Sequence, residues 1–128
     1  MPTPLCLIVD DSRIIRKVAR RIVEALGFEV AEAADGIEGL EQCLRAMPDL
    51  ILLDWRMPTM DGMDFLSQLK HQTGGVLPKV LFCSMENDPR RIAEALAAGA
   101  DDYVMKPFDG EILQSKIDEL GDLGRHAA

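Results

Sequence analysis

No stretch of the chain approaches the ~20 consecutive apolar residues that a membrane-spanning helix needs. Nor is there material for a disulfide framework. The three cysteines, Cys6, Cys43 and Cys83, are odd in number and widely spaced, and Cys6 and Cys83 lie in apolar runs. Buried reduced thiols are therefore expected, not disulfides or metal ligands. The N-terminus lacks a basic leader, a long apolar segment and a small-residue cleavage site, because Asp10 and Asp11 stop the short run Leu5–Val9. A cytoplasmic protein without membrane insertion is the expectation. Basic residues are in the minority: 14 Lys and Arg face 22 Asp and Glu, a formal charge of −8 over 128 residues. That balance argues against direct DNA binding and against anionic membranes, since both need clustered cations. His71 and His126 stand at no metal-ligand or catalytic spacing. Repeats, low-complexity tracts and linkers are absent.

What remains is ordinary globular material. With 48% hydrophobic and 28% charged residues, the chain can build a core, which excludes disorder. Short β-rich apolar runs occur at Leu5–Val9, Phe28–Ala33, Leu50–Leu53, Val80–Cys83 and Tyr103–Met105. Helical spacing fills about 13–26, 37–46, 62–71, 89–98 and 110–120. Five βα pairs in alternation predict an α/β fold, a (βα)5 doubly wound parallel sheet covered by helices on both faces. Leu50–Leu53 suits a central strand and Phe28–Ala33 an edge. Ser12 and Asp88-Pro89 mark helix starts, while Gly27 and Gly99 mark helix ends. The expectation is one domain over residues 1–128, with its core at about 4–120 and a short tail at 121–128.

In an open parallel sheet, ligands bind beyond the carboxyl ends of the strands. The polar residues there are Asp10 and Asp11, Asp54, Ser84 and Lys106. Each alone has a bland explanation as a helix cap, turn or loop residue. Capping needs do not explain their convergence from four strands. Three close carboxylates repel, and a hard divalent cation with oxygen ligands relieves the repulsion. Mg²⁺ takes one or two carboxylates and leaves room for phosphate oxygens. Lys106 offers a second cation and Ser84 a hydroxyl donor. Asp54 is the best-placed nucleophile, since a carboxylate can attack phosphorus to form an aspartyl phosphate. The chemistry indicated is phosphoryl transfer to Asp54.

The stretches Ile8–Ser12, Leu52–Pro58 around Asp54, Met60–Gly62, Cys83-Ser84 and Gly99–Phe108 carry these residues. In that order, the chain resembles the receiver domain of two-component response regulators, specifically single-domain receivers like the chemotaxis regulator. The resemblance covers essentially the whole chain. It implies the flavodoxin-like strand order 2-1-3-4-5. It further implies that Asp54 accepts a phosphoryl group from a phosphohistidine on a sensor histidine kinase or histidine phosphotransferase. Asp11, Asp54 and the backbone carbonyl of Arg56 would coordinate Mg²⁺, and Asp10 would act through a water. Ser84 would move toward the phosphoryl oxygen, Tyr103 would turn inward, and the surface of the fourth helix, fifth strand and fifth helix would meet a downstream protein. A cis Lys106-Pro107 peptide would aim the lysine. Such a protein is not an enzyme on external substrates, because it catalyses only its own phosphorylation and dephosphorylation. No effector domain is expected after the fifth helix, and output is expected through protein contacts or phosphate relay.

Other readings compete. A phosphatase resembling the haloacid dehalogenase group wants Asp-x-Asp and a capping insertion, whereas this chain has Asp10-Asp11 and no room for a cap. A flavin carrier needs a Ser/Thr/Gly loop where these carboxylates stand. An interaction module with vestigial phosphorylation is the third alternative. Met85 keeps it open, since it follows Ser84 where receivers usually have a small residue; it either narrows the pocket or packs away from it. Arg56 and Glu86 are placed for a salt bridge over the mouth. Met57, Met60, Met63, Met85 and Met105 cluster around the rim, with core filling favoured over a partner surface. On the first helix, Arg13, Arg16, Lys17, Arg20 and Arg21 read as one basic face opposite Ile15, Val18, Ile22 and Leu26. That face is either plain solvated surface or a docking site for the phosphodonor.

Overall fold

A computed structural model of the chain describes residues 3–85 and 88–121. Glu86 and His126, with the rest of the tail beyond residue 121, lie outside the described residues. The elements alternate: β1 (Leu5–Val9), α1 (Arg13–Ala25), β2 (Glu29–Ala33), α2 (Gly36–Arg45), β3 (Leu50–Asp54), α3 (Gly62–Thr73), β4 (Lys79–Ser84), α4 (Pro89–Ala98), β5 (Asp102–Met105) and α5 (Gly110–Glu119). All four strand pairings are parallel and the order is β2-β1-β3-β4-β5, the flavodoxin-like arrangement.

Period-2 alternation divides the strand residues between two apolar layers. Leu7, Val9, Ile51, Leu53, Val80 and Phe82 pack against α2, α3 and α4 through Leu40, Phe65, Leu66, Leu69 and Ala95. Cys6, Ile8, Leu50, Leu52, Leu81 and Val104 pack against α1 and α5 through Ala19, Val23, Leu113 and Ile117. With both faces covered, β1, β3 and β4 read as unbroken apolar runs. The three cysteines are buried and free, and burial pushes the Cys43 thiol up to about 11. They are core side chains, not reactive thiols.

Helix starts use the acidic surplus. The N-caps are Ser12, Asp35, Asp61, Asp88 and Asp109, and each side chain accepts a first-turn N–H. Four of these five caps are aspartates, so part of the −8 charge simply sits at the positive ends of helix dipoles. Gly99 closes α4 at φ 120°, a left-handed conformation that suits glycine.

The first helix differs from the expectation. Ala19 and Val23 form its buried seam, with Ile15, Ile22 and Leu26 half-buried beside them, but Val18 is 40% and Ile14 75% exposed. Turning ~100° per residue spreads the five cations over a wide arc. Arg16 and Arg20 lie on the flank next to β2, and both reach Glu32. Only Arg13, Lys17 and Arg21 are exposed, bordering Ile14 and Val18. The methionines also divide: Met57 is buried, Met60 and Met63 pack against the core, and Met85 and Met105 are exposed.

Gly62 opens α3 and donates its N–H to the Trp55 carbonyl at 2.9 Å. A Cβ there would lie 2.5 Å from Trp55 Cε3, so the indole would have to move. Gly62→Ala is expected to destabilise the fold by about 1–3 kcal/mol. Urea unfolding monitored by far-UV circular dichroism checks this; an unshifted midpoint would count against it.

Candidate functional site

Four of the candidate side chains hang at, or one residue beyond, the end of a hydrogen-bonded strand. Asp54 and Ser84 are the last residues of β3 and β4, and Asp10 and Lys106 directly follow β1 and β5. The ladder continues past the strand ends. Asp10 N–H donates to Ala33 O at 3.1 Å, Trp55 N–H to Cys83 O at 3.1 Å, and Lys106 N–H to Ser84 O at 2.9 Å. The register pairs Asp54 with Cys83 and Ser84 with Met105. These positions are therefore set by rigid elements and not by loop conformation. The Lys106-Pro107 peptide is cis.

The polar groups converge on one cleft of about 420 Å³. Asp10 and Asp54 are 2% and 4% exposed, and Asp11 is exposed at the rim. Carboxylate oxygens of all three lie within 4.8 Å of one another. Lys106 Nζ donates to Asp10 Oδ2 at 3.1 Å and to Asp54 Oδ1 at 3.0 Å. Asp10 Oδ1 accepts the Ser12 N–H at 2.8 Å, and the Asp10 carbonyl accepts Arg16 Nη1 at 2.7 Å. Ser84 is buried at the same rim, and Arg56 and Met85 line the mouth. Met85 is 73% exposed there, so it stands beside the pocket and does not pack away.

Burial and the neighbouring charges of Asp10 and Asp11 push the Asp54 carboxyl up to about 6, against the pull of Lys106. Burial would lower the Lys106 pKa, but hydrogen bonding and attraction to Asp54 and Asp10 outweigh it and the ammonium is held charged. The donor set is all oxygen and anionic, which suits a hard divalent cation such as Mg²⁺ better than a thiophilic metal. The site thus combines a buried carboxylate, a cation already bound to it, a nearby hydroxyl and ligands for a second cation.

Tyr103 on β5 is half-buried. Its ring centroid lies 5.8 Å from that of Phe82, which is 5.2 Å from Trp55, the residue after Asp54. Lys116 of α5 places Nζ 5.2 Å from the Tyr103 centroid and 3.1 Å from Asp102 Oδ2. A packed aromatic row therefore joins the acidic cleft to the β5–α5 edge. Sequence reasoning missed one participant. Arg16 stood out only as a surface cation, because its contact with Asp10 depends on how α1 lies over β2.

A family model described as the response regulator receiver domain matches residues 6–118. Among curated proteins, the chain is 41% identical over 114 residues to the response regulator MprA of Mycobacterium leprae, covering 89% of this chain and 49% of that protein. It is 40% identical to MprA of Mycobacterium ulcerans over the same length. The chain spans about half the length of the curated relatives it matches. Among solved structures, the Vibrio cholerae chemotaxis protein CheY4 superposes with a TM-score of 0.86 at 32% identity, covering 92% of this chain and 98% of that one. A CheY-like receiver domain protein from Methanospirillum hungatei gives 0.83 at 32% identity, with 93% and 94% covered.

The raised Asp54 pKa makes a stability prediction. An ordinary Asp titrates near ~3.9, so between about pH 4 and 6 the folded chain binds a proton that the unfolded chain releases. The contribution of Asp54 to stability must fall as pH rises through that window. Asp54→Asn removes the titration and is expected to stabilise the fold at pH 7 by about 3 kcal/mol, a gain that vanishes near pH 4. Urea melts of both proteins from pH 4 to 8 measure it. A gain independent of pH would contradict the assignment.

Proposed function

The chain belongs to the response regulator receiver domain family of two-component signalling, and on that premise we propose that Asp54 is its phosphoryl acceptor. The observation that carries this is the buried Asp54 carboxylate bonded to Lys106 at 3.0 Å within a cleft that also holds Asp10 and Asp11. In the proposed reaction an Asp54 oxygen attacks phosphorus of a phosphohistidine. The O–P bond forms, the P–N bond breaks, and the departing imidazole takes up a proton from solvent. Hydrolysis reverses the modification when water attacks phosphorus and the aspartyl oxygen leaves.

Mg²⁺, held by Asp11, Asp54 and the Arg56 carbonyl with Asp10 acting through water, would neutralise charge on the transferring group. The protein's own groups do the rest. Lys106 exchanges its carboxylate partners for a phosphoryl oxygen, and its flexible stem lets the ammonium follow the charge. The Ser84 hydroxyl donates to another phosphoryl oxygen. Its movement frees space into which Tyr103 turns, away from Lys116, reshaping the α4–β5–α5 face for a downstream protein. The protein catalyses only its own phosphorylation and dephosphorylation, in the cytoplasm, and the output of this domain is protein contact, not direct DNA binding. The partner supplying the phosphoryl group is a sensor histidine kinase or a histidine phosphotransferase. Its docking surface is the exposed face of α1, where Ile14 and Val18 are flanked by Arg13, Lys17 and Arg21. Arg16 and Arg20 are not part of it, because Glu32 holds them.

With a small phosphodonor and Mg²⁺, intact mass spectrometry is expected to show one added phosphoryl group on the wild type and none on Asp54→Asn or in EDTA. Lys106→Ala should slow the reaction about 10²-fold. An unmodified wild type, with a small donor and with every histidine kinase and phosphotransferase of the source organism, would instead favour a phosphorylation-independent interaction module. Docking has its own signature. Ile14→Glu and Arg21→Glu are expected to raise KM for the protein donor while leaving the small-donor rate unchanged; equal KM values would remove α1 from the interface.

A further inference from the structure

Asp10 is held at every polar atom it has. Its N–H donates to Ala33 O at 3.1 Å. Oδ1 accepts Ser12 N–H and Oδ2 accepts Lys106. Its carbonyl oxygen takes Arg16 Nη1 at 2.7 Å, the shortest of these bonds. The same guanidinium donates through Nε to Glu32 Oε1 at 3.1 Å. Both side chains in that pair are 15% exposed. Glu32 also receives Lys17 at 2.9 Å and Arg20 at 3.4 Å. Its backbone carbonyl accepts Gln42 Nε2 at 2.7 Å, so the end of β2 that carries it is tied to α2 as well as to α1.

The Asp10 carbonyl belongs to the peptide unit that joins Asp10 to Asp11. That unit is planar, so anchoring its oxygen fixes the plane from which Asp11 departs. The Asp11 side chain is exposed at the rim, and its direction follows from the backbone that bears it. We infer that Arg16, oriented by Glu32, is a positioning residue that sets the spacing of the Asp10 and Asp11 carboxylates against Asp54 and so tunes cation affinity. An arginine is required for this geometry. The guanidinium offers two donors at a fixed angle, one for Glu32 and one for Asp10, and a lysine has a single point of attachment. Arg20 is the natural control: it bonds Glu32 and the Val30 carbonyl but makes no contact with Asp10.

The inference rests on the proposed function for its biological use, but it is tested on cation binding. Mg²⁺ titration of the full chain is followed by fluorescence of Trp55, the chain's one tryptophan, which is buried next to Asp54. Urea midpoints and intact-mass phosphorylation are measured on the same proteins. Outer partners of metal ligands typically alter affinity by about 10–100-fold. Arg16→Gln and Arg16→Lys are both expected to weaken Mg²⁺ binding about 10-fold, at the low end of that range. Arg20→Gln should lower the urea midpoint and leave Mg²⁺ affinity unchanged. Arg16→Gln combined with Glu32→Gln should bind no more weakly than Arg16→Gln alone, since Glu32 acts through the arginine. Wild-type affinity in folded Arg16→Lys, or a loss in Arg20→Gln equal to that in Arg16→Gln, would overturn the inference, leaving Arg16 a mere staple between α1 and β2. A wild type that binds Mg²⁺ but accepts no phosphoryl group would overturn the proposed function instead, and the Mg²⁺ comparison would still decide the role of Arg16.

Discussion

One ammonium group holds the site together. Lys106 Nζ bridges Asp10 and Asp54 at 3.1 and 3.0 Å, and with a side chain 9% exposed it does so largely out of water. Two buried carboxylates with a third close by would repel each other strongly at such separations. Removing the ammonium would leave that repulsion without the one cation bonded to both buried carboxylates. The pairing is not a plain stabilising salt bridge, because desolvating three charged groups costs more than an exposed pair would. The raised Asp54 pKa is the visible residue of that cost. The site is balanced but not relaxed, and a group of added charge can redistribute it.

Topology makes that bridge possible. Lys106 is 96 residues from Asp10 and 52 from Asp54 in sequence. Placing β1 beside β3, with β4 and β5 following, sets the two carboxylates on adjacent strands and lets a long side chain arrive from the far edge. The same order stacks Trp55, Phe82 and Tyr103 across β3, β4 and β5 on the opposite side of the rim. Charge and packing thus leave the cleft by different routes. From Asp10 the Arg16–Glu32 pair runs toward α1 and β2, and from Trp55 the aromatic rings run toward β5 and α5. A change in the occupancy of the cleft meets a stiff, multiply bonded wall on one side and an adaptable ring contact on the other.

The elements and the rim residues were legible in the sequence because both follow from short-range rules. Short apolar runs stopped by Asp, Ser or Lys mark the strand ends, and the parallel architecture then collects those ends on one edge. Asp10, Asp11, Asp54, Ser84 and Lys106 needed no tertiary detail to be picked out. Arg16 and Val18 were misjudged for a common reason. A helical wheel gives the order of residues around α1, but not how far the helix is rolled over its sheet. The small side chain of Ala19 lets α1 settle on the Ala19–Val23 seam, which turns Val18 outward and Arg16 inward. The methionines divided on similar grounds: Met57, Met60 and Met63 join the apolar layer that holds α2 and α3, whereas Met85 follows β4 and Met105 ends β5, where the layers have run out.

The braces on β2 have one more consequence. Peptide groups at Glu29 and Ala33 face β1, through Glu29 N–H to Pro4 O and Asp10 N–H to Ala33 O. The alternate carbonyls of Val30 and Glu32 therefore face away from the sheet. Both are occupied, Val30 O by the Arg20 guanidinium and Glu32 O by the Gln42 amide. An edge strand with open acceptors is a template on which a neighbouring chain can lay down another strand, and charged side chains folded over it are a recognised defence. With these two carbonyls taken by Arg20 of α1 and Gln42 of α2, the edge of β2 is a poorer template for a further strand.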